Sequence, residues 1–327
     1  RHAAALAKDH QDRVNRMQPL AVVGNVNADL ILGPVTPWPA AGSEIIVDHD
    51  ELRVGGAAGN SAQAWTALGL DHQIAANTGN DQFGIWLRAA FKSHSLGWPV
   101  APGSTTLSVG ISHPDSERTF FTTSGHLAAL NWPQVRDMLD WPRLAGGYLL
   151  LCGCFLTDAL AAQYDALFTR AEAHSIRIAL DTGWPLTGWT VATRAKVRRW
   201  LSHSACLLVN EVEAAMLAGR ADPEQAGAVL RAMMPAGALV VIKRGAKGVL
   251  ALDETGRVIS VGAPRVPIID TIGAGDVFNA AFIAGLATQR PLKEALRQGV
   301  ATASRAISTN PRRYHDPLPQ EFADERT

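Results

Sequence analysis

The sequence predicts an α/β protein in which helices cover both faces of a mostly parallel central sheet, with a small second sheet standing off the main body. Short apolar runs alternate with segments of helical length, which is typical of βαβ units. The runs are rich in Val, Ile and Leu, as strands buried on both faces are. Two early segments instead alternate apolar and polar residues, which indicates half-exposed antiparallel strands.

The central sheet and its helices follow in chain order. Buried strands are predicted at residues 20–24, 73–76, 148–152, 176–180, 206–209 and 238–242. Helices are predicted at residues 60–68, 83–93, 158–173, 191–201 and 223–234. After residue 269, a glycine-rich stretch leads into two further predicted helices, at residues 277–288 and 292–307.

The small sheet is predicted from residues 44–54 and 105–123, which contain β-branched residues at alternating positions and a turn at 113–116. Because both segments come early and do not fit the βαβ rhythm, we expect them to form a lid over the main body. The exposed edges of lid strands can pair across two copies of a chain. We therefore expect a homodimer that forms through the lid strands.

The two ends of the chain differ from the rest. Residues 1–18 are polar and begin without methionine, and Met17 would be a plausible start. We expect them to lie outside the fold, either as residues foreign to the native chain or as a partly helical arm. Residues 19–327 are predicted to form one domain, and the proline- and charge-rich stretch 310–327 is predicted to lie on the surface.

Composition excludes several classes of function. The 30 basic and 30 acidic residues give no net charge, which argues against binding nucleic acid through its phosphates. No apolar run approaches the roughly 18 residues of a membrane span. The cysteines are Cys152, Cys154 and Cys206, an odd number without a C-x-x-C pair, so neither a disulfide framework nor a zinc site is expected. We expect a cytoplasmic protein that acts on a small molecule.

The most informative segment is residues 270–279, DTIGAGDVFN, where glycines precede a predicted helix. Free N–H groups at a helix start can bind an anion. An aspartate at position 276 would repel a bound phosphate, but it is useful if it accepts a proton while the amides of Ala274, Gly275 and Asp276 hold a phosphoryl group in transfer. The alternative is that Asp276 only complements the helix dipole and the glycines form an ordinary turn.

A second glycine-rich segment, GGAAGNSA at residues 55–62, follows a predicted strand and opens a helix. It matches neither the Walker A nor the G-x-G-x-x-G pattern. Asn60 either caps this helix or presents its amide to a substrate hydroxyl.

Two further polar groups follow predicted strands, where ligands bind in open α/β sheets. Asn210 and Glu213 are oxygen donors suited to Mg²⁺, or else form a capped helix start. Asp29 can accept hydrogen bonds from two sugar hydroxyls, or can satisfy its own loop.

Together these motifs resemble the PfkB (ribokinase-like) family of carbohydrate and nucleoside kinases, from about Leu20 to Ile307. Residues 55–62 and GNDQFG at 79–84 are similar to the family's N-terminal signature, and residues 270–279 closely resemble its C-terminal signature. Asn210 and Glu213 fit its N-x-x-E motif, and residues 245–248, GAKG, resemble its nucleotide-side G-x-x-G element.

The resemblance implies a three-layer α/β/α ribokinase-like fold with a β-sheet lid and ATP-dependent phosphorylation of a hydroxymethyl group. It implies roles for four groups of residues: Asp276 as base with Gly273, Ala274 and Gly275 as anion hole; Asp29, Gly55, Gly56, Asn60 and Arg118 for the substrate; Lys243, Gly245, Gly248 and Thr271 for the nucleotide; and Asn210 and Glu213 for Mg²⁺ through water.

The chain departs from ribokinases where the acceptor is concerned. Cys152-Gly153-Cys154 stands where ribokinases carry Gln-Leu-Glu, and residues 307–314 lack the glycine that ribokinases place near their potassium site, which leaves activation by a monovalent cation open. No cluster of basic residues marks a phosphorylated acceptor, although Arg118 is a candidate. We expect a kinase for an unphosphorylated, furanose-like sugar. The alternatives are a nucleoside (adenosine-type) kinase and a non-catalytic regulatory protein that binds a sugar or nucleotide.

Overall fold

The computed structural model describes residues 17–114 and 118–315, so the predictions for residues 1–16, for the second half of the turn at 113–116 and for residues 316–327 lie outside the described residues. The strands are β1 (Leu20–Val23), β2 (Asn27–Gly33), β3 (His49–Gly55), β4 (Gln73–Ala75), β5 (Leu107–Ser112), β6 (Arg118–Thr122), β7 (Tyr148–Leu151), β8 (Arg177–Leu180), β9 (Cys206–Asn210), β10 (Leu239–Lys243), β11 (Val249–Leu252) and β12 (Val258–Val261). The α-helices are α1 (Ala57–Ala67), α2 (Gln82–Phe91), α3 (Trp132–Met138), α4 (Trp141–Leu144), α5 (Asp158–Ala161), α6 (Tyr164–Ala173), α7 (Val191–Leu201), α8 (Glu211–Ala218), α9 (Pro223–Arg231), α10 (Ala274–Ala287) and α11 (Leu292–Ile307).

The main sheet has the strand order β12-β11-β10-β9-β8-β7-β1-β4. The six strands from β4 to β10 run parallel, whereas β11 and β12 add an antiparallel edge. All six predicted buried strands are confirmed. The antiparallel edge was not predicted, because β11 and β12 are short and have no helix between them.

Alternate residues of each parallel strand pack into two separate apolar cores. Leu149 and Leu151 of β7 face one core and Leu150 faces the other, and none of the three is exposed. Burying one leucine side chain contributes about 1.5–3 kcal/mol, so a sheet covered on both faces is strongly favoured. The three-layer α/β/α ribokinase-like fold predicted from the sequence is confirmed.

A second, four-stranded sheet with the order β3-β2-β5-β6 forms the small sheet. The prediction from residues 44–54 was only partly correct, since β3 begins at His49, and β2 was missed altogether. In the register Asp29 lies opposite Arg53, and Ser112 lies opposite Arg118. Opposite residues share a face of a sheet, so one face carries Asp29, Arg53 and Arg118 toward the main body.

Several element ends differ from the prediction. The predicted helix at 158–173 is two helices, α5 and α6, and the predicted helix after the glycine-rich stretch starts three residues early, at Ala274. Met17 packs against an apolar core, and the Gln18 N–H donates to the Ala287 carbonyl at 2.9 Å, so these two residues of the expected tail join the fold. Among the described residues no helix is long and apolar enough to cross a membrane.

Candidate active site

A cleft of about 530 Å³ opens between the small sheet and the main body. Such a volume suits a small-molecule ligand. Its lining comes from the inner face of the small sheet, from helices α1 and α2, and from the segments around residues 268–270 and 309–314. The polar groups of the lining include Glu51, Arg53, Asn60, Arg118, Asp270, Arg312 and Tyr314.

Asp276 lies in the first turn of α10, partly exposed. The Asn60 Nδ2 donates to its Oδ2 at 2.8 Å, and the Ser61 hydroxyl donates to its carbonyl at 3.2 Å. Burial, then the nearby charge of Asp181, raises the pKa of Asp276 to about 7, against the opposing effects of Asn60 and Lys243. A carboxyl with this pKa can take up and release a proton near neutral pH, as a general base must.

The start of α10 leaves backbone donors for an anion. Gly273 has a φ of 72°, and a Cβ there would lie 2.7 Å from the Asn60 Nδ2, so only glycine fits this turn. The Ala274 N–H, which we expected in the anion hole, donates instead to the Thr271 carbonyl at 3.1 Å. The N–H groups of Gly275 and Asp276 belong to the first turn, which has no intrahelical acceptors.

Lys243 lies at the centre of a buried network that the sequence did not predict. Its Nζ donates to the Asp181 Oδ2 at 2.7 Å and to the Asn279 Oδ1 at 3.2 Å, and the Asn279 Nδ2 donates to the same Asp181 oxygen at 2.6 Å. Burial lowers the pKa of Lys243, but the charges of Asp181 and Glu213 outweigh it and raise the pKa. Their positions in the sequence were the available signal for these missed residues. Asp181 follows β8, and Asn279 lies one helical turn after Asp276.

Asn210 and Glu213 form a capping box at the start of α8. The Glu213 N–H donates to the Asn210 Oδ1 at 2.8 Å, and the Asn210 N–H donates to the Glu213 Oε2 at 2.9 Å. The capped-helix interpretation is therefore confirmed. Glu213 is buried, and burial together with the charge of Asp181 raises its pKa.

Asn210 and Glu213 could hold a magnesium ion only as part of a water-rich shell. Glu213 keeps a second carboxylate oxygen beyond the one in the capping box. Within residues 17–114 and 118–315 there is no group of three or more His, Cys, Asp or Glu side chains that could hold a metal ion. Mg²⁺ retains several waters and needs few protein contacts, so this donor set fits a metal that is bound mainly through water and a nucleotide.

Asp29 lies on the lid face beside two glycines. It is buried and accepts a 2.7 Å hydrogen bond from the Asn27 Nδ2, and burial raises its pKa to about 6 although the charge of Arg53 opposes this. A Cβ on Gly55 would lie 2.1 Å from the Asp29 Cγ. Gly56, with a φ of 85°, would place a Cβ 2.3 Å from the Asn25 carbonyl oxygen. The predicted substrate residues Asp29, Gly55 and Gly56 therefore come together.

The residues predicted to bind the nucleotide have different surroundings. Gly245 faces open space, since a Cβ at this position would have no neighbouring atom within 4 Å among the described residues. A Cβ on Gly248 would lie 2.0 Å from the Val261 carbonyl oxygen, so this glycine is required by the packing against β12. The Thr271 hydroxyl accepts a 3.2 Å hydrogen bond from Arg118, which associates Thr271 with the arginines of the cleft.

Asp270 is surrounded by arginines. Arg53 and Arg312 donate to its Oδ2, the latter at 3.0 Å, and Arg118 donates to its Oδ1 at 3.0 Å. Burial alone would raise the pKa of Asp270, but hydrogen bonds from Arg53 and the Ile272 N–H, with the charges of Arg53 and Arg312, hold it below its usual range. The expectation of no basic cluster was wrong because these arginines are far apart in sequence. Residue 312, expected on the surface, closes the cleft.

Residues 17–313 match the model of a family described as pfkB family carbohydrate kinase. A cytidine kinase from Thermococcus kodakarensis is 26% identical over 300 residues, covering 89% of this chain and 96% of the relative. A 1-phosphofructokinase from Escherichia coli is 27% identical over 271 residues, covering 80% and 83%. The structure of Arabidopsis thaliana ribokinase complexed with ribose and ATP is similar in fold, with a TM-score of 0.74, 22% identity, and coverage of 90% of this chain and 93% of that one.

Proposed function

The chain belongs to the pfkB family of carbohydrate kinases, and we propose that residues 19–327, acting as one domain, transfer the γ-phosphoryl group of ATP to a hydroxymethyl group of a small, furanose-like sugar. The observation that carries the proposal is the position of Asp276. Its carboxyl lies at a helix start beside free amides, is hydrogen-bonded to Asn60, and has a pKa raised to about 7.

In the proposed reaction the acceptor hydroxyl oxygen forms a bond to the γ-phosphorus, and the bond from that phosphorus to the β–γ bridging oxygen breaks to release ADP. Asp276 takes up the proton of the acceptor hydroxyl. The N–H groups of Gly275 and Asp276, with the positive end of the α10 dipole, stabilise the negative charge on the phosphoryl oxygens. Positioning and electrostatics account for most of the acceleration in such transfers.

Substrate groups are assigned by their hydrogen-bonding chemistry and their place near the cleft. Asp29 has an oxygen beyond the one that accepts from Asn27, and it would accept hydrogen bonds from sugar hydroxyls. Gly55 leaves room for that carboxylate, Gly56 leaves room for the Asn25 carbonyl oxygen, and Asn60 links the cleft to Asp276.

On the nucleotide side, the open space at Gly245 would admit ATP, and Lys243 would complement the charge of its phosphates. Glu213, oriented by Asn210, would hold Mg²⁺ through water. The metal would neutralise phosphate charge when bound. The proposal assigns no role to a monovalent cation.

A nucleoside acceptor is the second candidate, because one relative is a cytidine kinase. A non-catalytic binding protein is disfavoured, because the charge of Asp276 at the start of α10 would repel a bound phosphate unless the carboxylate takes up a proton in a reaction. Measuring ATP consumption over a panel of sugars and nucleosides separates these functions. We expect turnover with sugars. Turnover confined to nucleosides would favour the nucleoside kinase, and binding without turnover would favour the non-catalytic binding protein.

We also propose a homodimer that forms through the small sheet. Its outer face is apolar, since the register places Leu30, Leu52, Val109 and Phe121 together. Leu52 and Phe121 are 42% and 56% exposed, and such a patch favours association. Light scattering after size exclusion should give twice the chain mass at micromolar concentration. Monomer alone would contradict the proposal, and Phe121→Lys should weaken the dimer.

A further inference from the structure

Three arginines from separate segments meet in the cleft. Arg53 comes from β3, Arg118 from β6 and Arg312 from the segment after α11, and all three contact Asp270. They line the same cavity as Asn60, whose amide is bonded to the proposed base. The arginines therefore line one cavity together with Asn60, the residue that is hydrogen-bonded to the proposed base.

The two oxygens of Asp270 accept as many hydrogen bonds as their lone pairs allow. The Asp270 Oδ1 accepts from Arg118 and from the Ile272 N–H, and its Oδ2 accepts from Arg53 and Arg312, so its lone pairs are fully used. Glu51 is the second carboxylate of the lining, but it approaches Arg53 only to 3.8 Å and its side chain is 48% exposed. The Asp270 carboxylate therefore cannot accept a further hydrogen bond from Arg53.

Arg53 also has a donor to spare. Its Nη2 is buried and has no hydrogen-bond partner among the described residues. Arg312 is hydrogen-bonded to Tyr314, whose hydroxyl pKa is raised by burial against the charges of Arg312 and Arg53. Guanidinium forks match the planar oxygens of carboxylates and the oxygens of phosphates, and arginines held at 14–19% side-chain exposure bind them with little screening.

We propose that the acceptor carries an anionic group, a phosphate or a carboxylate, that Arg53, Arg118 and Arg312 bind at the end of the cleft away from the reacting hydroxyl. The inference rests on the proposed kinase function and defines its substrate class: a sugar phosphate or a sugar acid rather than a neutral sugar. It replaces the expectation of an unphosphorylated acceptor.

Isothermal titration without ATP tests the proposal with matched ligands: fructose against fructose 6-phosphate, and glucose against gluconate. We expect at least one anionic ligand to bind 10-fold or more tightly than its neutral partner. Arg118→Met should weaken that binding about 10- to 100-fold, as expected for loss of a hydrogen bond between charged groups, and Arg118→Lys should restore part of it. Arg143→Met, which alters an arginine that is 61% exposed on the surface, is the matched control and should change nothing.

Three results would each overturn the proposal. The neutral ligands could bind as tightly as the anions, or no anion of the panel could bind. Folded Arg118→Met could also bind the anion as tightly as wild type does. Asp276→Asn separates it from the kinase function, because that variant should keep the preference for the anion while losing turnover. Preference for the anion without turnover in the wild type would support the binding site and refute the kinase proposal. A preference for fructose 6-phosphate over fructose would identify the bound group as a phosphate. A preference for gluconate over glucose would identify it as a carboxylate.

Discussion

Replacing Asp276 by asparagine removes a negative charge but keeps the side-chain volume and an oxygen that accepts from Asn60. The pKa of Asp276 rises from 3.8 to about 7 on folding, so between these values the folded state binds a proton that the unfolded state has released. Stability therefore falls as the pH rises through this range, because the carboxylate is disfavoured by burial and by Asp181. One pKa unit corresponds to about 1.4 kcal/mol.

The full shift would amount to about 4 kcal/mol, and the partial exposure of Asp276 reduces this to about 2–4 kcal/mol. We expect Asp276→Asn to be more stable than wild type by that amount at pH 8 and equal to it below pH 4. Urea unfolding at both pH values measures the difference. A difference that did not depend on pH, or that was larger at pH 4, would refute the assigned burial and charge environment.

The same variant tests the chemistry. Loss of a general base should lower kcat by about 10²–10⁴-fold, and the wild-type kcat/KM should rise with pH through about 7 as Asp276 becomes deprotonated. A variant that is more stable yet nearly inactive would show a site in which function opposes stability. Wild-type activity in Asp276→Asn would remove the proposed role.

Three further changes have defined outcomes. Lys243→Ala leaves the buried Asp181 carboxylate unpaired and should destabilise the protein by about 3–5 kcal/mol, measured by urea unfolding. Gly55→Ala, whose Cβ would lie 2.1 Å from the Asp29 Cγ, should raise the KM for the acceptor at least about 10-fold and leave the KM for ATP unchanged, since one displaced charged contact is worth about 1.5–3 kcal/mol. Glu213→Gln keeps an oxygen for the capping box but loses the charge, so half-maximal activity should require more Mg²⁺ while the melting temperature changes little.

Matched controls keep these outcomes specific. Gly97→Ala adds a methyl group in ordinary contact, 3.8 Å from the Met138 Cγ, and should be neutral. Lys243→Met with Asp181→Leu should recover much of the stability that Lys243→Ala loses, because it removes both charges together. If Gly55→Ala and wild type had equal KM values for the acceptor, the result would count against the role of Asp29. If Glu213→Gln required no more Mg²⁺ than wild type, the result would count against the proposed metal contact.

Much of the fold could be predicted because its signals are local. Residues 206–209 and 292–307 carry the apolar run of a buried strand and the period of a helix within their own length, and both elements formed there. β2 was missed because NADLILG follows β1 so closely that it reads as a loop. Its pairing with β3 and β5 (residues Leu107–Ser112) is a long-range choice that no local period records.

The sequence by itself determined the fold class, because apolar runs and helical periods are local. It also identified Asp276 as a candidate base through the resemblance of residues 270–279 to a family signature, in which a glycine-rich turn such as that at Gly273 precedes a helix. Only the tertiary structure decided which charges meet. Asp181 follows β8 whereas Lys243 ends β10, and Arg53, Arg118 and Arg312 lie in three separate segments of the chain. Their pairing depends on distances across the folded molecule, and Coulomb energies vary with those distances and with burial rather than with separation along the chain.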